Sequence, residues 1–346
     1  MDFNLDETQQ DLKKLAAEVL AREGDEERLW QAGLMGVCVP EEAGGAGLGP
    51  VEMAVVLREV GARAAMVPAL PTLAATLLLA RHGTPDQQRR YADRHAGRLT
   101  LAVREPGRAL ADPPTATAAQ NAQGTAAEGA AAAGGRSVGE PGWRLTGRKV
   151  AVPYPGGAAL VTADEGLFLV AEPVTAAEFT STGEPAATIV LDGAPAERVA
   201  GPEAVADARR VFTAAVAAQA SGVLAGALEL TTAYIKQRRQ FGRALAEFQA
   251  VTMQIADVYI AARALDVAMW SGVWRLGEGL PAEEDLALAA YHVSEALKAL
   301  YTCQHLHGGL GLDVTYPLHR YFAQARHLSQ ALGGADAQLD LIGALV

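Results

Sequence analysis

The chain has 346 residues, of which 50% are hydrophobic and 20% are charged, and its formal net charge is −11. This length allows one large unit or two to three small domains, and the acidic balance argues against a nucleic-acid or anionic-membrane surface. Cys38 and Cys303 are too few for a disulfide framework. Residues 1–24 do not resemble a signal peptide, and no apolar run has membrane-spanning length, so a cytoplasmic location is expected.

The first region, residues 1–97, has the pattern of helices. Asp6 is a candidate N-cap, and apolar residues follow it at helical spacing. Apolar segments at 50–63 and 70–83 predict two further helices, the second of which ends at a glycine. The glycine-rich segment 39–50 predicts a loop.

The second region, residues 98–202, changes to short apolar or alternating runs that are separated by Gly, Pro and Asp. This pattern predicts a small antiparallel β domain. Within it, residues 115–135 are a low-complexity Ala/Gly segment. It predicts a mobile loop, with a short helix as the less favoured alternative.

The third region, residues 203–346, is helical again. Residues 203–240 could form one helix of about 35 residues. Small residues dominate one of its faces and would let neighbouring helices approach closely: Ala215, Ala218, Gly222 and Gly226. Further long helical segments predict a four-helix bundle. The order of helices, strands and helices therefore predicts a mainly α protein with a central β domain and disfavours a Rossmann sheet.

Motifs spread from end to end resemble the acyl-CoA dehydrogenase family of flavoproteins. They lie in residues 1–19, 29–63, 104–107, 143–152, 236–258 and 304–326. The last two, at their mutual spacing, are the specific ones, and the others are weak alone. The resemblance implies an N-terminal helical domain, a small antiparallel β domain, a C-terminal four-helix bundle and FAD as cofactor.

In this family each FAD lies at a dimer interface, and the C-terminal motifs serve the adenine and pyrophosphate end of the neighbour's FAD. The resemblance assigns that half-site to Arg238, Gln240, Phe241, Gln249, Gln304, Gly308 and Gly309. Arg238 suits bidentate pyrophosphate binding. Gly308, Gly309 and Gly311 let backbone approach a nucleotide closely. The alternative is a solvated pair, Arg238 and Arg239, beside an ordinary helix end.

His305 and His307 lie within the second C-terminal motif. A metal site needs more ligands than two histidines on a glycine turn. A structural or nucleotide-side role is therefore expected for them, and no metal site is predicted.

The family's reaction removes a Cα proton from an acyl-CoA, which requires a positioned carboxylate as general base. The usual base position corresponds here to Leu332, and an alternative position used by some members falls at about Arg209. Neither side chain can act as a base. Asp336 could substitute, but a shift of one helical turn would move its carboxylate several ångströms out of place.

The family's flavin-ring contacts are replaced as well. The substituted positions are Arg104, Leu110, Ala151, Pro153 and Gly334. The joint loss of the base and the ring contacts predicts that this chain holds part of a neighbour's FAD and none of its own.

The resemblance extends to heteromeric actinobacterial members that shorten steroid side chains. It implies a non-catalytic subunit that joins a catalytic sister chain in an α2β2 assembly with two FAD per four chains, and the sister would bind most of the acyl-CoA. Two alternatives stay open. The chain could be an active homo-oligomeric dehydrogenase with an unusual base, or a FAD-free scaffold or ligand-binding pseudoenzyme.

Overall fold

The computed structural model describes residues 4–21, 26–92, 98–120 and 142–346. Its first helices are α1 (Glu7–Leu20), α2 (Glu26–Gln31), α3 (Pro50–Ala62), α4 (Ala69–His82) and α5 (Pro85–Arg90). As predicted, α1 begins at Asp6, whose side chain accepts a hydrogen bond from the backbone N–H of Gln9 at 2.8 Å. Helices α3 and α4 confirm the predicted segments 50–63 and 70–83.

Seven strands follow in the described central region: β1 (Leu99–Ala102), β2 (Thr117–Gln120), β3 (Trp143–Pro153), β4 (Ala158–Ala163), β5 (Gly166–Val170), β6 (Val174–Phe179) and β7 (Pro185–Ala200). They form one sheet in the order β1-β4-β5-β7-β3-β2, with β6 paired to β7. The predicted small antiparallel β domain is confirmed, with one exception in its strand pairing. Strand β1 runs parallel to β4, with Leu99 opposite Ala158, a direction that local sequence does not encode.

The predicted loop at 115–135 is wrong over part of its length. Residues Thr117–Gln120 form β2, which pairs antiparallel with β3 and places Thr117 opposite Thr146. This short, largely exposed segment becomes a strand because it pairs with the backbone of β3. Residues 121–135 lie outside the described residues.

The C-terminal region contains α6 (Glu203–Gln237), the hairpin strands β8 (Arg239–Gln240) and β9 (Arg243–Ala244), α7 (Gln249–Gly277), α8 (Glu283–His307), α9 (Leu318–Ala331) and α10 (Gly334–Leu345). Helix α6 has the predicted 35 residues. Helices α6 to α9 pack together, and α10 adds a fifth helix against α8. The division into domains at residues 97/98 and 202/203 stays a prediction.

Close backbone contact between α3 and α6 organises the core. A Cβ atom on Gly222 would lie 1.9 Å from the carbonyl oxygen of Arg58, and one on Gly226 would lie 2.3 Å from that of Ala62. The predicted small-residue face is therefore a packing requirement. Helix α6 is apolar enough to cross a membrane, but its most apolar window is 83% buried within the protein, as in a core helix.

Ion pairs join the helices of the core. The carboxylate of Asp207 on α6 accepts a hydrogen bond from Arg81 at 3.1 Å and pairs with His82 Nε2 at 2.8 Å, both on α4. Asp266 on α7 receives the Arg58 guanidinium of α3 at 3.1 Å. Asp207 therefore connects α6 to α4, and Asp266 connects α7 to α3.

A buried ion pair lies inside the β domain. The Lys149 ammonium is fully buried and donates to Glu105 at 2.6 Å and to the Thr162 hydroxyl at 3.0 Å. Burial alone would raise the pKa of Glu105, but hydrogen bonds from Lys149 and Thr115 outweigh burial and lower that pKa to about 2. The pair therefore contributes stability above the carboxyl's unfolded-state pKa, and this contribution is lost as the pH falls towards 2.

We expect Lys149→Met to lower the free energy of unfolding in urea by about 3–5 kcal/mol, because it leaves a buried carboxylate without its cation. The matched control is Arg148→Met on the same strand, where the side chain is exposed and the loss should stay within about 0.5 kcal/mol. Adding Glu105→Gln to Lys149→Met should recover part of the loss. Equal losses for Lys149→Met and Arg148→Met would contradict the structural role of the pair.

Candidate functional site

The first cofactor motif forms an exposed hairpin at the end of α6. The backbone N–H of Arg238 donates to the carbonyl of Tyr234 at 2.9 Å, and the helix ends there because Arg238 has an extended backbone conformation. Phe241 and Gly242 occupy the turn with φ of 52° and 84°, the positive values that a two-residue hairpin turn requires. The Phe241 side chain is 92% exposed. An apolar ring held outward on an unfavourable backbone conformation indicates a contact surface.

The three arginines of this hairpin differ in their partners. The guanidinium of Arg243 lies 4.0 Å from the centroid of the Phe248 ring, and Arg239 donates to the Gly242 carbonyl at 3.4 Å. The Arg238 guanidinium is exposed and has no hydrogen bond or ion pair within the described part of the chain. Arg238 is therefore the arginine available to an anionic ligand.

The second motif forms a glycine turn at the end of α8. Gly308 has a φ of +59° and an exposed position, and Gly309 is open to solvent, with no atom within 4 Å of the place a Cβ would take. Gly311 is instead buried, and a Cβ there would lie 2.8 Å from the Gln304 carbonyl. The Gln304 amide donates to the Gly311 carbonyl at 3.4 Å. The expectation that Gly311 admits a nucleotide is therefore wrong, and this glycine serves packing.

The two motifs meet in the structure. The Tyr234 hydroxyl, one turn before Arg238, donates to the carbonyl of His307 at 3.5 Å, next to Gly308. The predicted Gln240 and Gln249 side chains are exposed around the hairpin. The exposed Arg238 guanidinium and the backbone of Gly308 and Gly309, which no side chain covers, are groups of the kind that bind the pyrophosphate end of a dinucleotide.

The two predicted base positions also meet, in a pocket of about 200 Å³ between α6, α8 and α10. Leu332 and Arg209 line this pocket together with Leu110. Arg209 donates to the backbone carbonyls of Ala111 and Asp112, the first at 3.0 Å. Motif counting therefore placed both positions at one site, and neither side chain there can accept a proton.

Sequence analysis did not identify the carboxylate that lines this pocket, Glu283. It receives the Arg210 guanidinium at 2.7 Å, and this hydrogen bond lowers the pKa of Glu283. A lowered pKa makes a weak base. Asp336, proposed as a substitute base, is exposed and does not line the pocket.

Three of the five substituted flavin-ring positions line a separate cleft between the β domain and the helices. Arg104, Ala151 and Pro153 lie there with His327 around a cavity of about 50 Å³. Burial lowers the pKa of Arg104 and that of His327. Small-molecule pockets usually measure roughly 300–1,000 Å³, so the open space in this cleft is small for a ligand site.

Comparison with known proteins identifies the family of this chain. The family described as "Acyl-CoA dehydrogenase, N-terminal domain" matches residues 6–97, and that described as "Acyl-CoA dehydrogenase, C-terminal domain" matches residues 207–346. Acyl-CoA dehydrogenase FadE28 of Mycobacterium tuberculosis is 38% identical over 99% of this chain and 98% of the relative.

Two solved structures share the whole fold. A chain of the Tcur3481-Tcur3483 steroid ACAD is 35% identical, with a TM-score of 0.86 over 98% of this chain and 97% of the other. A chain of the ChsE4-ChsE5 complex from Mycobacterium tuberculosis is 30% identical, with a TM-score of 0.85 over 99% and 98%.

The helix–sheet–helix fold with its C-terminal nucleotide motifs defines the class of acyl-CoA dehydrogenase-like flavoproteins. This chain belongs to the acyl-CoA dehydrogenase family. FAD is the cofactor that the family conventionally binds.

In this chain purified alone, Leu332→Glu should not create acyl-CoA oxidation, because the substitution supplies a carboxylate but does not enlarge the cleft at Arg104.

Glu283 gives a second prediction. In a complex with a catalytic chain, Glu283→Gln should leave turnover unchanged, since Glu283 is a weak, ion-paired carboxylate. A loss of about 10²–10⁴-fold, the usual contribution of a general base, would identify Glu283 as the base and contradict this assignment. Flavin reduction by acyl-CoA measures both effects.

Proposed function

We propose that this chain is the non-catalytic subunit of a heteromeric FAD-dependent acyl-CoA dehydrogenase. It contributes pyrophosphate and adenine contacts to an FAD that a catalytic sister chain holds around the flavin ring. The observation that carries this proposal is the contrast between an open cofactor half-site at Arg238 and a ring cleft of about 50 Å³ at Arg104.

The length of α6 supports the sharing of one cofactor. The residue of α6 that lines the ring cleft and lies nearest to Arg238 along the helix is Gln219, 19 residues before it, which is about 28 Å at 1.5 Å per residue. This separation supports a half-site at the far end of α6 that serves a cofactor seated in another chain.

Within this assembly the residues of this chain bind and orient the cofactor. Arg238 would meet the pyrophosphate with two parallel N–H donors, and the bare backbone of Gly308 and Gly309 would let the nucleotide lie close. Bound FAD supplies the hydride acceptor for α,β-desaturation of an acyl-CoA thioester. Leu332 can take no proton, so the sister chain provides the base and most of the acyl-CoA cleft.

An apolar stripe on α7 supports a protein partner. Met253, Ile260 and Val267 are spaced by seven residues and are 61%, 63% and 46% exposed, as at a helix–helix seam. Helix α7 starts at Gln249, a few residues after the Arg238 hairpin, so one partner can cover both surfaces. We assign the stripe to the sister chain.

The relatives support the heteromeric form and the substrate class. One structural neighbour is a steroid ACAD, and the other belongs to a two-protein complex. By similarity we propose a steroid side-chain CoA or a related acyl-CoA as substrate, an α2β2 assembly with two FAD, and a cytoplasmic location.

Two other functions compete with this proposal. An active homo-oligomer would need a base, and Glu283 is the carboxylate that its pocket offers. A FAD-free scaffold would not need the free guanidinium of Arg238 or the positive φ at Phe241. The cofactor content of the assembled protein separates all three.

The decisive experiment is co-expression with the catalytic sister, followed by measurement of FAD per four chains. We expect two FAD, and Arg238→Ala in this chain should lower FAD retention about tenfold or more, because a charged hydrogen bond is lost. Arg148→Ala, at an exposed arginine of the β domain, is the control and should retain FAD. Four FAD per tetramer, or full activity from this chain alone, would overturn the proposal, and a colourless active complex would do so as well.

The stripe on α7 gives a separate prediction for assembly. Ile260→Glu places a charge in an apolar interface, and we expect it to abolish co-purification with the sister. Unfolding of the isolated chain should change by less than about 0.5 kcal/mol, because Ile260 is exposed there. The control is Asp257→Glu, at an exposed acidic position on the same helix. An intact complex with Ile260→Glu would show that the partner binds elsewhere.

A further inference from the structure

His307 is a buried imidazole at the junction of the two cofactor motifs, and the proposed function leaves it without a role. It is 3% exposed and is the last residue of α8, directly before Gly308. Its Nδ1 lies 2.8 Å from the Cys303 carbonyl and its Nε2 lies 3.1 Å from the Tyr316 hydroxyl. Its ring stacks on Tyr234 with centroids 4.3 Å apart and an interplanar angle of 18°.

The partners determine the protonation state of this imidazole. A carbonyl oxygen only accepts, so Nδ1 must carry the proton that is donated to Cys303. In the neutral ring Nε2 then accepts from the Tyr316 hydroxyl. Burial lowers the pKa of His307 and its hydrogen bond to Cys303 opposes that shift only in part, which agrees with a neutral ring.

Three chain segments converge on this ring. Tyr234 belongs to the last turn of α6, and its carbonyl accepts the backbone N–H of Arg238 at 2.9 Å. Tyr316 lies in the segment between the glycine turn and α9. His307 therefore stands one residue from Gly308 and one stacked ring from the helix turn that holds Arg238.

We propose that His307, with Tyr234 and Tyr316, is a positioning clip that sets the spacing between the Arg238 guanidinium and the Gly308–Gly309 backbone for binding a dinucleotide pyrophosphate. The clip touches no reacting atom. This assignment rests on the proposed function, because it concerns the same half-site. Without the clip the α6 and α8 ends would each keep their own turn geometry but would lose their fixed separation, and bidentate contacts tolerate little displacement.

The test uses the complex of this chain with its catalytic sister and measures the FAD dissociation constant by flavin fluorescence. Tyr316→Phe removes one hydrogen bond from a half-buried hydroxyl, and we expect FAD binding to weaken roughly three- to tenfold. His307→Phe keeps a ring for stacking but removes both hydrogen bonds and should weaken binding further. His307→Gln, whose amide can both donate and accept, should restore part of the loss.

The matched control is Tyr321→Phe. The Tyr321 hydroxyl donates to the Ala62 carbonyl at 2.9 Å, a bond of similar strength that joins α9 to α3 and leaves the half-site untouched. It should lower the unfolding temperature as much as Tyr316→Phe does and leave FAD binding unchanged.

The outcomes separate the clip from the proposed function. If Arg238→Ala releases FAD while the Tyr316 and His307 variants bind it normally, the clip is wrong and the shared half-site stands. If Tyr321→Phe weakens FAD binding as strongly as Tyr316→Phe does, the substitutions act by general destabilisation of the fold, and the clip is also wrong. If Arg238→Ala leaves FAD binding by the complex unchanged, both the proposed half-site and the clip are wrong.

Discussion

The backbone contact between α3 and α6 is the constraint on which the rest of the structure depends. Gly222 and Gly226 let α6 lie against carbonyl oxygens of α3 at a distance that any side chain would prevent. Helix α6 is thereby a long, largely buried axis with Arg209 near one end and Arg238 just beyond the other. Its 35 residues hold these two regions far apart, so each region has its own surroundings.

The arginines of these two regions have different environments. Arg104 and Arg209 are half-buried in clefts of their own chain, where Arg209 is satisfied by backbone carbonyls. Arg238 is exposed and has no partner within the described residues. Arg104 and Arg209 occupy space inside the clefts that a ligand would need, whereas Arg238 at the surface remains available to a ligand. Arginine therefore fills space in the clefts and offers a binding group at the hairpin.

The sequence predicted most of the fold because its helices are locally encoded. The Asp6 cap, the length of α6 and the small-residue face all follow from short-range spacing and were confirmed. It failed for β1 and β2, whose direction and existence depend on partners far along the chain. Motif spacing likewise located Leu332 and Arg209 at one pocket, whereas Glu283 and the His307 clip come from helix ends that only packing brings near.

By itself the sequence determined that leucine and arginine stand at the two positions where the family's base is expected, and neither side chain can accept a proton in any fold. It also determined the family, and it predicted which residues would meet a nucleotide. Only the tertiary structure decided that the ring cleft is about 50 Å³, that Gly311 serves packing, and that Arg238 remains unpaired within the described residues. These are properties of volume and proximity, and they arise when segments that are distant in sequence compete for the same space.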